Sequence, residues 1–589
     1  MFQSIVREGY RKDIDGLRTL AVLAVFVFHC GFLPNGYLGV DVFFVISGYL
    51  ITKILFLKSQ AGRLSLIDFY KRRIRRILPL VSFFCLIVLP LGAYFMLPDD
   101  FENLAQSVIA TNFFSNNILQ YITTGNYWDV VNEYKPLMHT WSLAIEEQYY
   151  FVYPFLFLIL RGKLLRFLPA ALVVLTILSL GVYVSDISEA ARFYLLPARF
   201  YELSIGGLAA VLLTNRLITT GLRWVLIVLL ILLLGIDVPA QFDGWLNPLS
   251  VLVTVALLIT TSKNEGSLTT RFLQNPVMSF LGRISFSIYM WHQVLLAFGR
   301  YAFFEEVTPL LALLLLVLTT LLSWASYELI EQPFRNRKKY SIQTVLMVLG
   351  LAIGGSTAAS FYVYRHAGVL RDYPMLDIYA DQTERNIHGK YNDRIYEYDR
   401  PFADNGRTKV LLIGNSFARD WGNVLFESSA GERIDLSFVF EPKSFTQEEA
   451  QRLQQADLIF WADNKFLTPE NAQRIGVPQE LFSRLWFIGT KRFGQNSGLF
   501  YNHRGDDVCT QRAKLPRDVI DMNDSMRKAW SDRYIDLLSV LATDDQTVGV
   551  FTDDCKLISQ DTRHLTKAGA VHLAKQFDRT IQSLISQPN

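Results

Sequence analysis

Ser416 closes the short run Lys409-Val-Leu-Leu-Ile-Gly414-Asn415, and His564 stands near the C-terminus with Asp561 three residues before it. A serine hydroxyl is a weak nucleophile until a base takes its proton. An imidazole does this best when a carboxylate holds its other nitrogen. One turn brings Asp561 beside His564, so Ser416, His564 and Asp561 are candidates for nucleophile, base and orienting acid. A second group lies far upstream. His29 ends the apolar stretch Leu20-Ala-Val-Leu-Ala-Val-Phe-Val-Phe28, with Arg18 eleven residues earlier. On a helix that separation is roughly 16 Å, about half the thickness of a bilayer core. An ionisable residue at that depth is costly and marks a candidate site. A neutral imidazole there can take a proton from a hydroxyl or carry one. The alternative is a histidine that packs helices through a neighbouring hydroxyl.

Two further clusters carry charge in unusual places. Lys71-Arg72-Arg73-Ile74-Arg75-Arg76 precedes an apolar run. It reads as a topology signal, and its arginine forks also suit the phosphates of a nucleotide-bearing donor. In His139-Thr-Trp-Ser-Leu-Ala-Ile-Glu146-Glu147-Gln148, two adjacent glutamates enter another apolar run. They point about 100° apart on a helix, so one can line a cavity while the other meets an interfacial partner. Trp141 also fits a plain interfacial helix start. Asp41, Glu202, His292 and Glu331 likewise adjoin or enter apolar runs.

The elements that must position these groups fall into two kinds. The chain has 589 residues, 51% apolar and 19% charged, with a formal net charge of +3. That length exceeds one core, the apolar share is high for a wholly soluble protein, and the near-neutral charge gives no ground for nucleic acid binding. Runs of the length a spanning helix needs occur at 15–33, 38–57, 78–97, 141–160, 165–184, 195–214, 222–237, 245–262, 278–299, 309–330 and 342–363. Basic residues fill alternate gaps (Lys71 to Arg76; Arg161, Lys163 and Arg166; Arg216 and Arg223; Lys263 and Arg271; Arg335 to Lys339). Acidic residues fill the others (Asp99, Asp100, Glu102, Asp129 and Glu133; Asp186 and Glu189; Asp237 and Asp243; Glu305 and Glu306). Basic loops stay cytoplasmic. Eleven spans thus predict a cytoplasmic N-terminus and a C-terminal domain on the opposite side; ten or twelve would reverse that domain.

After residue 365 the composition becomes that of a soluble domain, beginning with a polar linker or packed extension over 365–407. The runs 409–414, 457–462, 485–489 and 548–552 read as buried strands, and 445–456 and 565–586 as helices. Such alternation predicts a parallel sheet with helices on both faces, and Ser416 then sits past a strand's carboxyl end, where such sheets bind ligands. Helix-start amides there can serve as oxyanion donors. Cys30 and Cys85 lie in or near spans; Cys509 and Cys555 both lie in the tail and can pair if that domain is outside the cytoplasm.

Five motifs in order, Asp15-Gly-Leu-Arg18…His29, Gly39-Val-Asp-Val-Phe-Phe-Val-Ile-Ser-Gly48, Arg72-x-x-Arg75, Trp141-Ser-Leu-Ala-Ile-Glu-Glu-Gln148 and Tyr327-Glu-x-x-Glu-Gln-Pro-Phe334, resemble the membrane acyltransferase family 3. The resemblance implies a transmembrane acyltransferase domain over 1–335, followed by one more helix over 336–364. It pairs Arg18 with His29 and gives the arginine motif, either Arg72/Arg75 or Arg73/Arg76, to acyl-coenzyme A. Residues 408–589 are similar to the SGNH hydrolase family, which implies nucleophile, base and orienting roles for Ser416, His564 and Asp561. That family usually has Gly-Asp-Ser where this chain has Gly414-Asn415-Ser416, a change expected to remove a structural acceptor. Asn464, Gly494 and Asn496 are the oxyanion candidates.

Together the resemblances imply a bacterial inner-membrane enzyme with a periplasmic tail, moving acetyl from acetyl-coenzyme A to an envelope glycan such as lipopolysaccharide O-antigen. No metal is expected, and neither the acceptor hydroxyl nor the oligomeric state is legible. The other readings are a carbohydrate esterase with a membrane anchor and a transporter without chemistry.

Overall fold

Each of the eleven apolar runs carries a helix in the computed structural model, although Thr260–Ser262, at the end of the run 245–262, is a short strand paired with Arg216–Ile218. The structure describes residues 10–124, 132–212, 216–218, 220–238, 243–262, 267–303, 306–382, 387–463, 465–491, 497–502, 505, 507–543, 546–561 and 563–586. The run 278–299 is broken at Ile284 into the helices Pro276–Arg283 and Ser285–Ala302. Among the described residues, six helical stretches are long and apolar enough to cross a membrane: Gly36–Gln60, Leu66–Phe95, Gly162–Val184, Glu189–Leu212, Pro309–Arg335 and Ile342–Arg365. Thr220–Gly235 and Gly244–Ile259 are apolar but shorter.

By contact the chain divides into two units. The first comprises Met1–Tyr94, Asn103–Arg300 and Glu306–Tyr362. Within it the helices differ in what surrounds them. Of the most apolar window of Gly36–Gln60, 72% is buried by other helices; for Pro309–Arg335 and Ile342–Arg365 the share is 22%. Those two helices turn Leu313, Leu314, Val317, Leu346 and Leu351 outward, a surface that only a hydrocarbon medium covers without penalty. The central contact is a close helix crossing. A Cβ on Gly48 would lie 1.9 Å from the Leu203 carbonyl oxygen, and one on Gly206 would lie 2.2 Å from that of Val45. Helices that lack a hydrophobic drive to associate gain instead from such backbone approach.

The second unit comprises Phe95–Glu102, Tyr301–Glu305 and Val363–Asn589. Five parallel strands form its sheet, in the order Ile434–Phe440, Thr408–Gly414, Leu458–Ala462, Leu485–Ile488 and Tyr534–Ile535. The central strands are buried along their length, and apolar clusters lie on both sheet faces. The polar 365–407 stretch contributes Tyr373, Ile378 and Ile395 to one of these clusters. Two departures from the sequence expectation stand out. The edge strand Ile434–Phe440 was not expected. Its Asp435 and Ser437 interrupt the apolar pattern, and both are spent on backbone: Asp435 accepts from the Ala403 N–H at 2.7 Å and Ser437 donates to the Arg400 carbonyl at 2.7 Å. The run 548–552 does not join the parallel sheet. Thr547–Gly549 pairs antiparallel with Arg512–Lys514 instead, in a separate two-stranded ribbon. A disulfide joins Cys509 to Cys555, with Cα atoms 5.1 Å apart, within the span a disulfide bridges.

Candidate functional sites

In the tail, Gly414 ends its strand with φ +132°, and a Cβ there would lie 1.9 Å from the Ala462 carbonyl oxygen, so only glycine fits this turn. Asn415 then caps the helix Ser416–Glu427, its Oδ1 accepting from the Phe417 N–H at 3.1 Å. Its amide donates to Asp463 at 2.9 Å and to Glu441 at 3.2 Å. The Asn415 position therefore keeps the acceptor that an aspartate would supply, contrary to the expectation that it is lost. A third carboxylate here would face two others.

Ser416 Oγ lies 2.9 Å from His564 Nε2. His564 Nδ1 donates to Asp561 Oδ2 in a short bond. Asp561 Oδ1 accepts from the N–H groups of Arg563 at 2.6 Å and His564 at 2.8 Å, so the carboxylate is fixed by the backbone that carries the imidazole. Burial opposes the charge of Asp561, but His564 and these N–H groups overcome it and hold the carboxyl far below its usual range. Burial, helped by the charges of Lys491 and Arg419, pushes His564 below its ordinary value against the pull of Asp561. The base is thus neutral at neutral pH. Ser416 has no exposed surface, and His564 has 3%.

Asp420, one turn after Ser416, was missed from sequence because an acid inside an amphipathic helix looks like a solvated face. It is wholly buried. It accepts from Lys491 Nζ, from Arg419, and from the Leu565 N–H at 2.8 Å. Lys491 also donates to the Arg563 carbonyl oxygen. This buried pair ties the loop of His564 to the helix of Ser416. Burial works against the Asp420 charge, yet Lys491 and Arg419 hold its carboxyl down at about 2. The oxyanion candidates Asn464, Gly494 and Asn496 lie outside the described residues.

In the membrane unit, a cavity of about 580 Å³ is lined by nine arginines, among them Arg18, Arg72, Arg73, Arg75, Arg76, Arg283 and Arg335. A smaller, more apolar cavity of about 150 Å³ shares Arg18, Arg73 and Arg76 with it and adds Ser47, Ser142, Glu146, Tyr150 and Tyr289. Arg75 is committed elsewhere: it donates to the carbonyl oxygens of Phe334 and Tyr340, both at 2.9 Å. Arg73 lies over the Tyr150 ring at 4.8 Å. Glu146 accepts from Ser47 at 2.8 Å and from Tyr150 at 3.1 Å, whereas Glu147 lines neither cavity and has a buried oxygen without a hydrogen-bond partner among the described residues.

His29 lines neither cavity. Arg18 and His29 share one helix, Lys12–His29, but face different surroundings. Nδ1 of His29 lies 3.2 Å from Nε2 of His292. His139 packs edge-on against His292, with ring centroids 5.3 Å apart, and both of its ring nitrogens are buried without a hydrogen-bond partner among the described residues. Tyr289 links this cluster to the smaller cavity: it lines that cavity, and its ring lies 5.1 Å from His139 and 5.4 Å from His292. Of the other charged residues within apolar runs, Asp41 and Glu202 flank Arg199, and Glu331 accepts from Ser287 at 2.5 Å and pairs with Arg335 at 3.2 Å.

The sequence of residues 11–328 matches the family model described as "Acyltransferase domain". The chain belongs to the acyltransferase family. Its relatives agree. A Staphylococcus aureus (strain MRSA252) protein named "Putative O-acetyltransferase SAR0937" is 26% identical over 481 residues, covering 74% of this chain and 78% of the relative. "O-acetyltransferase OatA" of the same strain is 29% identical over 378 residues, covering 58% of this chain and 61% of the relative. No solved structure matches. This acyltransferase is therefore a membrane protein and an O-acyltransferase of the O-acetyltransferase type.

Proposed function

We propose that this enzyme takes an acyl group, acetyl foremost, from cytoplasmic acyl-coenzyme A and delivers it across the bilayer to hydroxyls of an envelope polysaccharide, such as lipopolysaccharide O-antigen. One observation carries the reading: a single chain pairs an arginine-lined cavity in its membrane unit with a Ser416–His564–Asp561 array in its tail. A thioester bearing several phosphates cannot cross lipid, while arginine forks bind phosphate bidentately. Since Arg75 is occupied by two carbonyls and Arg73 and Arg76 line both cavities, Arg73 and Arg76 are the donor-binding pair, with Arg18 and Arg72 beside them. The more apolar cavity then suits the pantetheine arm and its acyl end, with Glu146 on its wall.

The charge alternation of the loops supports eleven spans, a cytoplasmic N-terminus, and a tail on the outer, periplasmic face of an inner membrane. In the membrane unit His29 assists transfer through Nε2. In the tail, Ser416 Oγ attacks the delivered acyl carbon as its proton passes to His564 Nε2; the bond from the acyl carbon to its carrier breaks, the departing carrier atom takes that proton from Nε2, and an ester is left on the serine. A glycan hydroxyl then attacks that ester. Its proton goes to the same nitrogen and returns to Ser416 as the acyl group leaves. Asp561 stabilises the imidazolium throughout. The test is mass spectrometry of envelope glycans from cells with and without the protein, and with His29→Ala and Ser416→Ala, each checked for membrane insertion. Both variants should lose ester gain. Full acylation by Ser416→Ala would remove the tail as final donor. Loss of glycan esters on expression would instead favour an anchored esterase.

A further inference from the structure

Two imidazoles outside both cavities, His292 buried and His29 half-buried, fix each other's hydrogens. Nδ1 of His292 lies 2.6 Å from the Tyr289 carbonyl oxygen. A carbonyl oxygen only accepts, so neutral His292 carries its hydrogen on Nδ1 and a lone pair on Nε2. That lone pair faces Nδ1 of His29 at 3.2 Å. The same His29 nitrogen lies 3.1 Å from the Val25 carbonyl oxygen. Both neighbours of His29 Nδ1 are therefore acceptors. The His29 hydrogen sits there, shared between them, and Nε2 is left as the basic atom.

When Nε2 forms a bond, the ring becomes cationic and the charge gathers on Nδ1–H. Among the described residues, no carboxylate accepts a hydrogen bond from either ring. A fixed charge close to the pair is Arg300, on the His292 helix. It donates to the His29 carbonyl oxygen at 2.9 Å and pairs with Glu133 at 3.3 Å.

We propose that His292 is a positioning residue for His29. It accepts the Nδ1 hydrogen bond, keeps Nε2 free, and takes part of the charge as Nε2 reacts. The inference rests on the reading that His29 assists acyl transfer. If Nε2 takes a hydroxyl proton, the O–H bond breaks, the freed oxygen bonds to the acyl carbon as the C–S bond breaks, and the departing thiolate later recovers the proton. If Nε2 takes the acyl carbon, the C–S bond breaks, the thiolate leaves with its electron pair, and the Nδ1 proton shifts toward His292; an acceptor hydroxyl then bonds the acyl carbon, the N–C bond breaks, the Nδ1 proton returns, and the hydroxyl proton passes to the thiolate. Each balance closes with the thiolate as the final proton acceptor, and each stabilises its cation at the same place.

Membrane vesicles from producing cells, which carry their own acceptor, are fed radiolabelled acetyl-coenzyme A, and label on glycan is followed. The decisive pair is His292→Gln and His292→Met, similar in shape but differing in an oxygen able to accept the Nδ1–H. A hydrogen bond to a charged group corresponds to about 10- to 100-fold in rate. The Met variant should lose about that much kcat with KM for acetyl-coenzyme A within about twofold, since His292 lines neither cavity; the Gln variant should recover at least half of the loss on a logarithmic scale. Equal rates for Gln and Met, or a Met variant as fast as wild type, overturn the role of His292. His29→Ala separates the two failures: if it remains active, the reading of His29 itself falls.

Discussion

In the tail, the imidazole of His564 leans on a carboxylate; in the membrane unit, that of His29 leans on a second imidazole and a carbonyl oxygen. The contrast follows from what each surrounding can hold. In the tail, His564 and backbone N–H groups keep the half-buried Asp561 ionised, and the Lys491 and Arg419 charges keep the wholly buried Asp420 so. Among membrane helices an ion is stabilised only by a partner close at hand, and an unpaired one is expensive. Where charges do occur there, they come in sets such as Asp41 with Arg199 and Glu202. A neutral acceptor orients a histidine at no such cost. The tail histidine is thus steadily polarised by a carboxylate, and the membrane histidine only by neutral acceptors.

The sharpest break would come from the tail nucleophile. Ser416→Ala should lower release of nitrophenol from p-nitrophenyl acetate by the full-length protein by about 10⁴-fold or more, and an unchanged rate would leave the triad without work. Asp561→Asn should cost about 10²- to 10⁴-fold in the same assay, because the amide no longer fixes the tautomer. The pH profile refines this. Since burial and neighbouring charges depress His564, activity should persist as pH falls through the ordinary histidine value near 6.5 and decline only at lower pH; a midpoint above 7 contradicts that environment. Stability follows the same sign. Asp420 is held at about 2, below its unfolded value near 3.8, so its contribution is complete above about pH 4 and lost as pH falls toward 2.

Smaller effects concern the frame. Cys509→Ser with Cys555→Ser opens a loop of separation 46, which should lower stability by about 4 kcal/mol on a chain-entropy basis, measured by denaturant titration of the purified chain. Asp420→Asn strands the buried Lys491 charge, at about 3 kcal/mol, and should loosen the His564 loop. Mildest is Asn415→Asp, which sets a carboxylate against Asp463 and Glu441; its melting temperature should fall by only a few degrees, on the order of 1 kcal/mol.

What the sequence disclosed depended on how local each signal was. The apolar runs announced their helices because the bilayer length is written in consecutive residues. Asp561 and His564 were legible because they are three apart on one turn. The strand Ile434–Phe440 was obscured by Asp435 and Ser437, whose backbone partners lie some 35 residues earlier. The partnership of His29 with His292 spans a separation of 263 residues, and nothing in either apolar run points to the other. Arg75 looked interchangeable with its neighbours; only the carbonyls of Phe334 and Tyr340 distinguish it.

The complete enclosure of Ser416 has a bearing on yield. An ester formed on that oxygen would start from an atom that presents no surface to solvent, so its lifetime would depend on whichever alcohol can be admitted beside His564. Under the proposed function, seclusion of this kind tilts the competition between an admitted alcohol and water toward the alcohol, and lets a slow acceptor still collect most of the cargo.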